Sequence, residues 1–299
     1  MSGESVASMH ADPRSDASVS DRCGVDEVDR SQPEVKAYSA LESSGRIHLL
    51  GFPIDALTEA ECIERILASI CASRGGWVVT HNLDHLRRLV NDRAFADLCD
   101  ESDIRVADGM PLVWASRLQG TPLPERVTGS SLIWSLTEAA ASQDRSIFLL
   151  GGDGDTASEA ANMLRSRFPS LRIAGTDPAP LGSEKNVEKF EQLKRTLKDT
   201  RPDIVYVAMG SPKQELIIRK LRDLLPGAWW MGVGISFSFV CGEVKRAPQW
   251  MQQLGLEWIH RMVQEPGRLW RRYLVEGVPF AIRLMLSAAM RRRRSSHPA

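Results

Sequence analysis

Asp108 stands at the end of a short strand-like stretch, Ile104–Ala107, apolar apart from Arg105, and directly before Gly109. A carboxylate placed there can lie in a cleft and act as a general base; it can equally serve as the cap of a following helix. Gly210-Ser-Pro-Lys-Gln-Glu215 brings Lys213, Gln214 and Glu215 to a strand-to-helix turn. The free N–H groups of such a turn suit a phosphate, although the P-loop spacing is absent and the segment can be read as a plain turn. Asp153-Gly154-Asp155 has the D-x-D form with which carboxylate oxygens hold a divalent metal. Thr156-x-x-Glu159 reads more simply as a capping box, with acids at the positive end of a helix. Gly152-x-Gly154 and Gly232-x-Gly234 are incomplete dinucleotide fingerprints, which argues against a nicotinamide cofactor. His81 and His85 stand four apart, but no H-E-x-x-H pattern and no third ligand accompany them. The expectation is a site with no metal and no cofactor.

The elements that must position these residues follow from hydrophobic period. The chain has 299 residues, 43% hydrophobic and 25% charged, an ordinary globular composition. Ile47–Leu50, Trp77–Thr80, Ile104–Ala107, Ile147–Leu150, Leu171–Ala174, Ile204–Ala208 and Trp229–Val233 read as short strands. Between them lie segments of helical period: one opened by Thr58 with a capping box to Glu61, then Met110–Leu118, Ser131–Ser142, Thr156–Phe168 and Glu184–Lys198, and one started by Pro212 at its first position. This alternation predicts an α/β fold, a Rossmann-like and mostly parallel sheet flanked by helices. Ligands of such sheets sit beyond the carboxyl ends of the strands. That rule gathers Thr80-His81-Asn82, Asp108-Gly109, Gly151-Gly152, Gly210-Ser211 and Gly234 into one neighbourhood.

Lysine plus arginine number 38 and so do aspartate plus glutamate, a balance that gives no support to nucleic-acid binding. The charge is nonetheless uneven. Residues 1–45 carry nine acids against four bases, are poor in large apolar residues and read as a disordered acidic extension. No signal peptide is expected there. Residues 259–299 carry nine arginines against two glutamates. Within them Val278–Met290 is apolar apart from Arg283 and Ser287, and Arg291–Arg294 follow. The apolar run is too short to span a bilayer and fits an interfacial helix with a polybasic end. Trp229 and Trp230 read as core; Trp258 and Trp270 read as core of the C-terminal segment or as a membrane-facing belt. The five cysteines are odd in number and lack C-x-x-C spacing, which fits a reducing compartment.

Taken in order, Thr80-His-Asn82, Ala107-Asp-Gly109, Glu125-Arg-Val-Thr-Gly129, Phe148-Leu-Leu-Gly-Gly152, Gly210-Ser-Pro-Lys-Gln-Glu215, Gly242-Glu-Val-Lys-Arg-Ala-Pro248, Gly255-Leu-Glu-Trp258 and Glu265-Pro-Gly-Arg268 with Arg271-Arg-Tyr273 resemble the WecG/TagA/CpsF glycosyltransferases. The resemblance runs from about Ile47 to about Phe280. It implies an inverting transferase that moves a sugar such as N-acetylmannosamine from a UDP-sugar to polyprenyl-diphosphate-linked N-acetylglucosamine, without a D-x-D metal site. The setting it implies is cell-wall or surface-polysaccharide assembly, peripheral on the cytoplasmic face of the cell membrane.

Carried onto this sequence, the resemblance makes Asp108 the base. Thr80, Asn82, Lys213, Gln214 and Glu215 become substrate contacts, and Arg268, Arg271 and Arg272 lie near the lipid diphosphate. Arg126 and the strand-end N–H groups of Gly151, Gly152 and Gly210 are the further substrate contacts expected, since without a metal such groups must balance the diphosphate. The implied division is an extension over 1–45, a glycosyltransferase domain over 46–247 and a helical membrane- and acceptor-binding appendage over 248–299, with apolar tail surface that suits a small homo-oligomer. Three positions depart from the family pattern: Ser131 and Ser238 stand where carboxylates are usual, and Asp177-Pro-Ala-Pro180 replaces a glycine-tyrosine turn. The two serines are what a rival reading would use, a non-catalytic membrane-associated scaffold with a decayed cleft.

Overall fold

The structure, a computed structural model, describes residues 45–178 and 186–295. The acidic extension, apart from Gly45, lies outside the described residues, as do Ala179, Pro180 and the expected helix start at Glu184.

A two-stranded antiparallel hairpin, β1 (Arg46–Leu49) and β2 (Phe52–Asp55), opens the described chain. Its turn residues Leu50 and Gly51 both have positive φ (51° and 92°), the twist that a two-residue hairpin needs. The second strand is not legible in the sequence because Pro53 interrupts it; proline is tolerated here because the hairpin stands outside the main sheet.

Six strands form that sheet: β3 (Gly76–His81), β4 (Ile104–Ala107), β5 (Ser146–Gly151), β6 (Arg172–Asp177), β7 (Ile204–Ala208) and β8 (Trp229–Gly232). Their order is β4-β3-β8-β7-β5-β6 and every pairing is parallel. This is the α/β architecture expected from the alternation. Parallel strands are buried on both faces, and the two-residue period shows it. Trp77, Val79, Phe148, Leu150, Val205, Val207 and Trp230 join one core cluster. Val78, Val106, Ile147, Leu149, Tyr206, Trp229 and Met231 join the other. The buried Tyr206 hydroxyl is satisfied by Thr137 Oγ1 at 3.0 Å.

Helices α1 (Glu59–Cys71), α2 (Leu83–Asn91), α3 (Arg93–Asp100), α4 (Met110–Gln119), α5 (Gly129–Ser142), α6 (Thr156–Arg167), α7 (Val187–Thr200), α8 (Lys213–Leu221) and α9 (Ser236–Cys241) supply the covering layers. The Thr58–Glu61 capping box forms as expected: Thr58 N–H donates to Glu61 Oε2 at 2.7 Å and Glu61 N–H to Thr58 Oγ1 at 3.2 Å. The expected box at Thr156 does not form. Asp155 holds the cap position without a side-chain bond, and the Thr156 hydroxyl donates to the Asp153 carbonyl at 2.6 Å. Pro212 also stands one residue earlier than expected, at the cap of α8 rather than inside it.

The C-terminal segment folds as α10 (Gln249–Gln253), α11 (Glu257–Gln264), α12 (Pro266–Trp270), a π-helical stretch (Arg271–Gly277) and α13 (Val278–Ser295). The π stretch makes Arg271–Arg293 one continuous helix, long and apolar enough by length and composition to cross a membrane. The expectation of a helix too short to span is corrected here: Val278–Met290 alone is too short, and the turns before it supply the missing length. One face of α13 packs on the body: Phe280, Leu284 and Ala288, spaced by four, are buried in the same cluster as Leu112 and Ala115 of α4. The opposite face leaves Ile282, Leu286 and Met290 exposed. Charge ties the start of this helix to α2, where Asp84 pairs with Arg272 at 3.1 Å, Arg87 at 2.9 Å and Arg88 at 3.3 Å.

Asp55 links the hairpin to the sheet edge. Its Oδ1 accepts from Arg46 Nε at 2.8 Å and its Oδ2 from the Arg105 backbone N–H on β4 at 2.7 Å. Asp55 is buried and Arg46 is about half exposed. Asp55→Ala leaves an edge-strand N–H without its partner and is expected to cost about 1–3 kcal/mol in urea denaturation. Arg46→Ala is expected to cost less than about 1 kcal/mol.

Candidate active site

The carboxyl ends of β3, β4 and β8 converge on Asp108. The β3–β4 register pairs His81 with Ala107, and the Asp108 N–H donates to the His81 carbonyl at 2.7 Å. The cap reading of Asp108 is not realised, because Gly109, at φ 157°, occupies the cap position of α4. The carboxylate instead accepts a hydrogen bond from the Gly129 backbone N–H at the start of α5. Loss of water around Asp108 pushes its pKa up to about 6. Arg126, the Gly129 N–H and Arg246 pull the other way, while Glu257 adds to the rise.

Two glycines let the neighbouring elements approach. A Cβ on Gly129 would lie 3.6 Å from both Thr80 Oγ1 and the Gly232 carbonyl. A Cβ on Gly232 would lie 2.7 Å from Gln214 Cδ, a collision. Asp108, Thr80, Gly129, Gly232 and Gln214 therefore form one contiguous surface at the strand ends. Gln214 is held from two sides: its Oε1 accepts from the Gly234 N–H at 3.0 Å, and its Nε2 donates to Glu215 Oε1 at 2.9 Å. Glu215 is 2% exposed and its Oε2 has no hydrogen-bond partner. Its place is behind Gln214, whose amide it orients, and Lys213 is exposed to solvent.

The remaining expected contacts fall as follows. Asn82 caps α2, its Oδ1 accepting from the His85 N–H at 3.0 Å. Gly151, Gly152 and Gly210 all have positive φ (98°, 85° and 68°), which suits glycine at these strand-end turns. The Gly152 N–H already donates to the Ala208 carbonyl at 2.8 Å, so that donor is spent within the turn. His81 and His85 are buried edge to face, 6.0 Å between ring centroids. Burial, first of all, lowers the pKa of both. Among the described residues no three His, Cys, Asp or Glu side chains converge as metal ligands.

Of the C-terminal arginines, Arg272 is paired with Asp84, and Arg271 faces Glu276 at 3.8 Å. The Arg268 side chain lies outside the described residues. Trp270 is exposed; Trp258 is half-buried and meets Tyr273 edge to face at 5.9 Å.

Arg246 and Glu257, two charged residues with no role assigned from sequence, complete the site. Arg126 Nη1 faces Glu257 Oε2 at 3.1 Å, and Arg246 Nε faces Glu257 Oε1 at 3.6 Å. Arg246 also reaches Ser131 Oγ at 3.3 Å. Ser131 stands in the cap of α5, where Thr128 Oγ1 accepts from its N–H at 3.0 Å. Arg246 and Glu257 lie within motif segments, Gly242–Pro248 and Gly255–Trp258, but only the fold shows that these segments return to Asp108.

A carboxylate whose pKa is raised to about 6 and a pair of guanidinium groups near it can accept a proton from a hydroxyl and balance charge on a phosphate. Comparisons with known proteins show what the chain is similar to. The sequence model of the "Glycosyl transferase WecG/TagA/CpsF family" matches residues 47–295. An N-acetylglucosaminyldiphosphoundecaprenol N-acetyl-beta-D-mannosaminyltransferase of Bacillus subtilis strain 168 is 33% identical over 200 residues, 67% of this chain and 75% of that protein. The protein of the same name from Bacillus spizizenii is 32% identical over 202 residues, 68% of this chain and 76% of that protein. With a match that spans nearly all the described residues, the chain belongs to the WecG/TagA/CpsF family of glycosyl transferases.

Proposed function

We propose that this glycosyltransferase moves an N-acetylmannosamine-like sugar from a UDP-sugar to a polyprenyl-diphosphate-linked N-acetylglucosamine, with inversion, in cell-wall polymer synthesis. The observation that carries the reading is Asp108: a desolvated carboxylate at the sheet edge, bonded to the Gly129 N–H and facing Arg126. The names of the two Bacillus relatives supply the acceptor and the sugar.

In this reading Asp108 removes the proton from the acceptor hydroxyl. The oxygen attacks the anomeric carbon on the face opposite the diphosphate, so a single displacement inverts that centre. Thr80 and Gln214 flank the reacting sugar, and Glu215 holds the Gln214 amide in one orientation. The departing diphosphate gains charge, which guanidinium forks can balance with paired hydrogen bonds. The retained Asp108, Thr80 and Gln214 set favours an enzyme over a scaffold.

The acceptor is a membrane lipid, and α13 offers the surface to meet it. Ile282 and Leu286 are 56% and 60% exposed beside Trp114 and Met290, and the Arg291–Arg293 cluster follows. An apolar stripe with a basic end suits attachment to an anionic membrane face, here the cytoplasmic one. Because the opposite face of α13 packs on α4, we read the helix as lying along the body rather than crossing the bilayer.

Three measurements test this. Asp108→Asn should remain folded and lower kcat by about 10²–10⁴-fold on a lipid-linked acceptor; turnover close to wild type removes Asp108 from the chemistry. The acid limb of the pH–rate profile should fall with an apparent pKa near 6, because the base is lost as Asp108 is protonated. Arg126 favours the charged form, so Arg126→Met should move that limb to higher pH. Ile282→Asp combined with Leu286→Asp should leave the melting temperature nearly unchanged and weaken vesicle binding at least about tenfold, on a scale of about 1.5–3 kcal/mol per apolar side chain. Undiminished vesicle binding would rule out this face.

A further inference from the structure

Glu257 divides its carboxylate between two arginines that arrive from distant parts of the chain. Arg126 precedes α5, Arg246 follows α9, and neither makes another salt bridge among the described residues. All three side chains are largely withdrawn from solvent, at 17% exposed for Arg126, 26% for Arg246 and 19% for Glu257. The arrangement is nevertheless poor in bonds. A guanidinium carries five N–H donors. Arg126 gives one to Glu257. Arg246 Nε is buried without a hydrogen bond, and its remaining contacts are long: Ser131 Oγ at 3.3 Å, Thr128 Oγ1 at 3.5 Å and the Ser130 carbonyl at 3.5 Å. Residue 131 is a neutral hydroxyl and cannot neutralise Arg246.

We infer that Arg126 and Arg246 form a seat for the diphosphate of a nucleoside-diphosphate donor, and that the Glu257 carboxylate fills this seat while the donor is absent. The inference rests on the donor reading given above. Two guanidinium groups beside one carboxylate, with most of their donors unused or making long contacts, match a diphosphate better than a single carboxylate. Charge requires an exchange. Asp108 and Glu257 against Arg126 and Arg246 is a neutral set. A diphosphate adds at least two negative charges, so with Glu257 still in place the set would carry a net charge of about −2 in a poorly hydrated space. Departure of Glu257 halves that excess. Packing permits that departure, because α11 buries none of its residues fully. Donor entry is thereby coupled to movement of α11, which also carries Trp258 and Arg261.

The competing account makes Glu257 a brace that holds the arginines in a productive pose. Titration calorimetry on the full chain with UDP and, separately, inorganic pyrophosphate distinguishes the two. A seat occupied by Glu257 predicts that Glu257→Gln binds both ligands on the order of tenfold more tightly. Arg246→Gln should bind both at least about tenfold more weakly, and the double variant should lose the gain. Weaker binding by Glu257→Gln establishes the brace and overturns the inference, as does unchanged affinity for both ligands. If UDP binds neither protein while pyrophosphate still binds more tightly to Glu257→Gln, the UDP reading falls and the anion seat stands. If both ligands bind both proteins equally, the seat falls and the UDP reading stands. Melting curves establish that each variant is folded. Should Glu257→Gln unfold, Glu257→Asp, which shortens the reach to both arginines, should shift affinity in the same direction.

Discussion

A carboxylate stripped of water at a strand end, with cations and a backbone N–H offsetting the cost of its charge, is the constraint around which the candidate site is arranged. Asp108 sits where desolvation raises its pKa to about 6. The Gly129 N–H, Arg126 and Arg246 limit that rise. The balance belongs to the fold rather than to one residue: β4 delivers the carboxylate, the start of α5 delivers the N–H, and two separate loops deliver the cations. For the general base proposed above, a pKa near the working pH is the condition under which proton removal and proton affinity are both useful.

The sheet enforces this arrangement through absence of side chains as much as through their presence. Gly129 lets α5 approach Thr80 and β8, and Gly232 leaves the volume that Gln214 fills. Gln214 then links Gly234 at the end of β8 to the buried Glu215. The buried acid fixes which end of the Gln214 amide is donor and which is acceptor.

Much of the frame is legible in the sequence because parallel strands buried on both faces are written as short, mostly apolar runs, with Arg105 a charged exception. Ile104–Ala107 and Ile204–Ala208 have the same boundaries in the hydrophobic pattern and in the fold. The strand-end rule likewise brings Thr80, Asp108 and Gly210 together from their sequence positions alone. What escapes is non-local or locally ambiguous. β2 is hidden by Pro53, α2 and α3 by their many charges, and the length of the last helix by Arg271, Arg272 and Glu276 at its start. Arg246 and Glu257 lie 138 and 149 residues after Asp108 in the numbering, in loop-rich sequence whose charges look like ordinary surface. No local period signals that such residues fold back onto a strand end. Thr156 shows the opposite failure: a correct-looking capping pattern that loses to a bond with the Asp153 carbonyl.

The last helix belongs to two environments at once. Phe280, Leu284 and Ala288 are part of the interior, while the stripe carrying Ile282 and Leu286 faces outward from the same turns. Lipid that gathers on the outer stripe therefore cannot peel the helix away without opening the core. On the membrane attachment proposed above, the bilayer would act by mass action as a ligand of the native state, and attachment and resistance to unfolding would rise together.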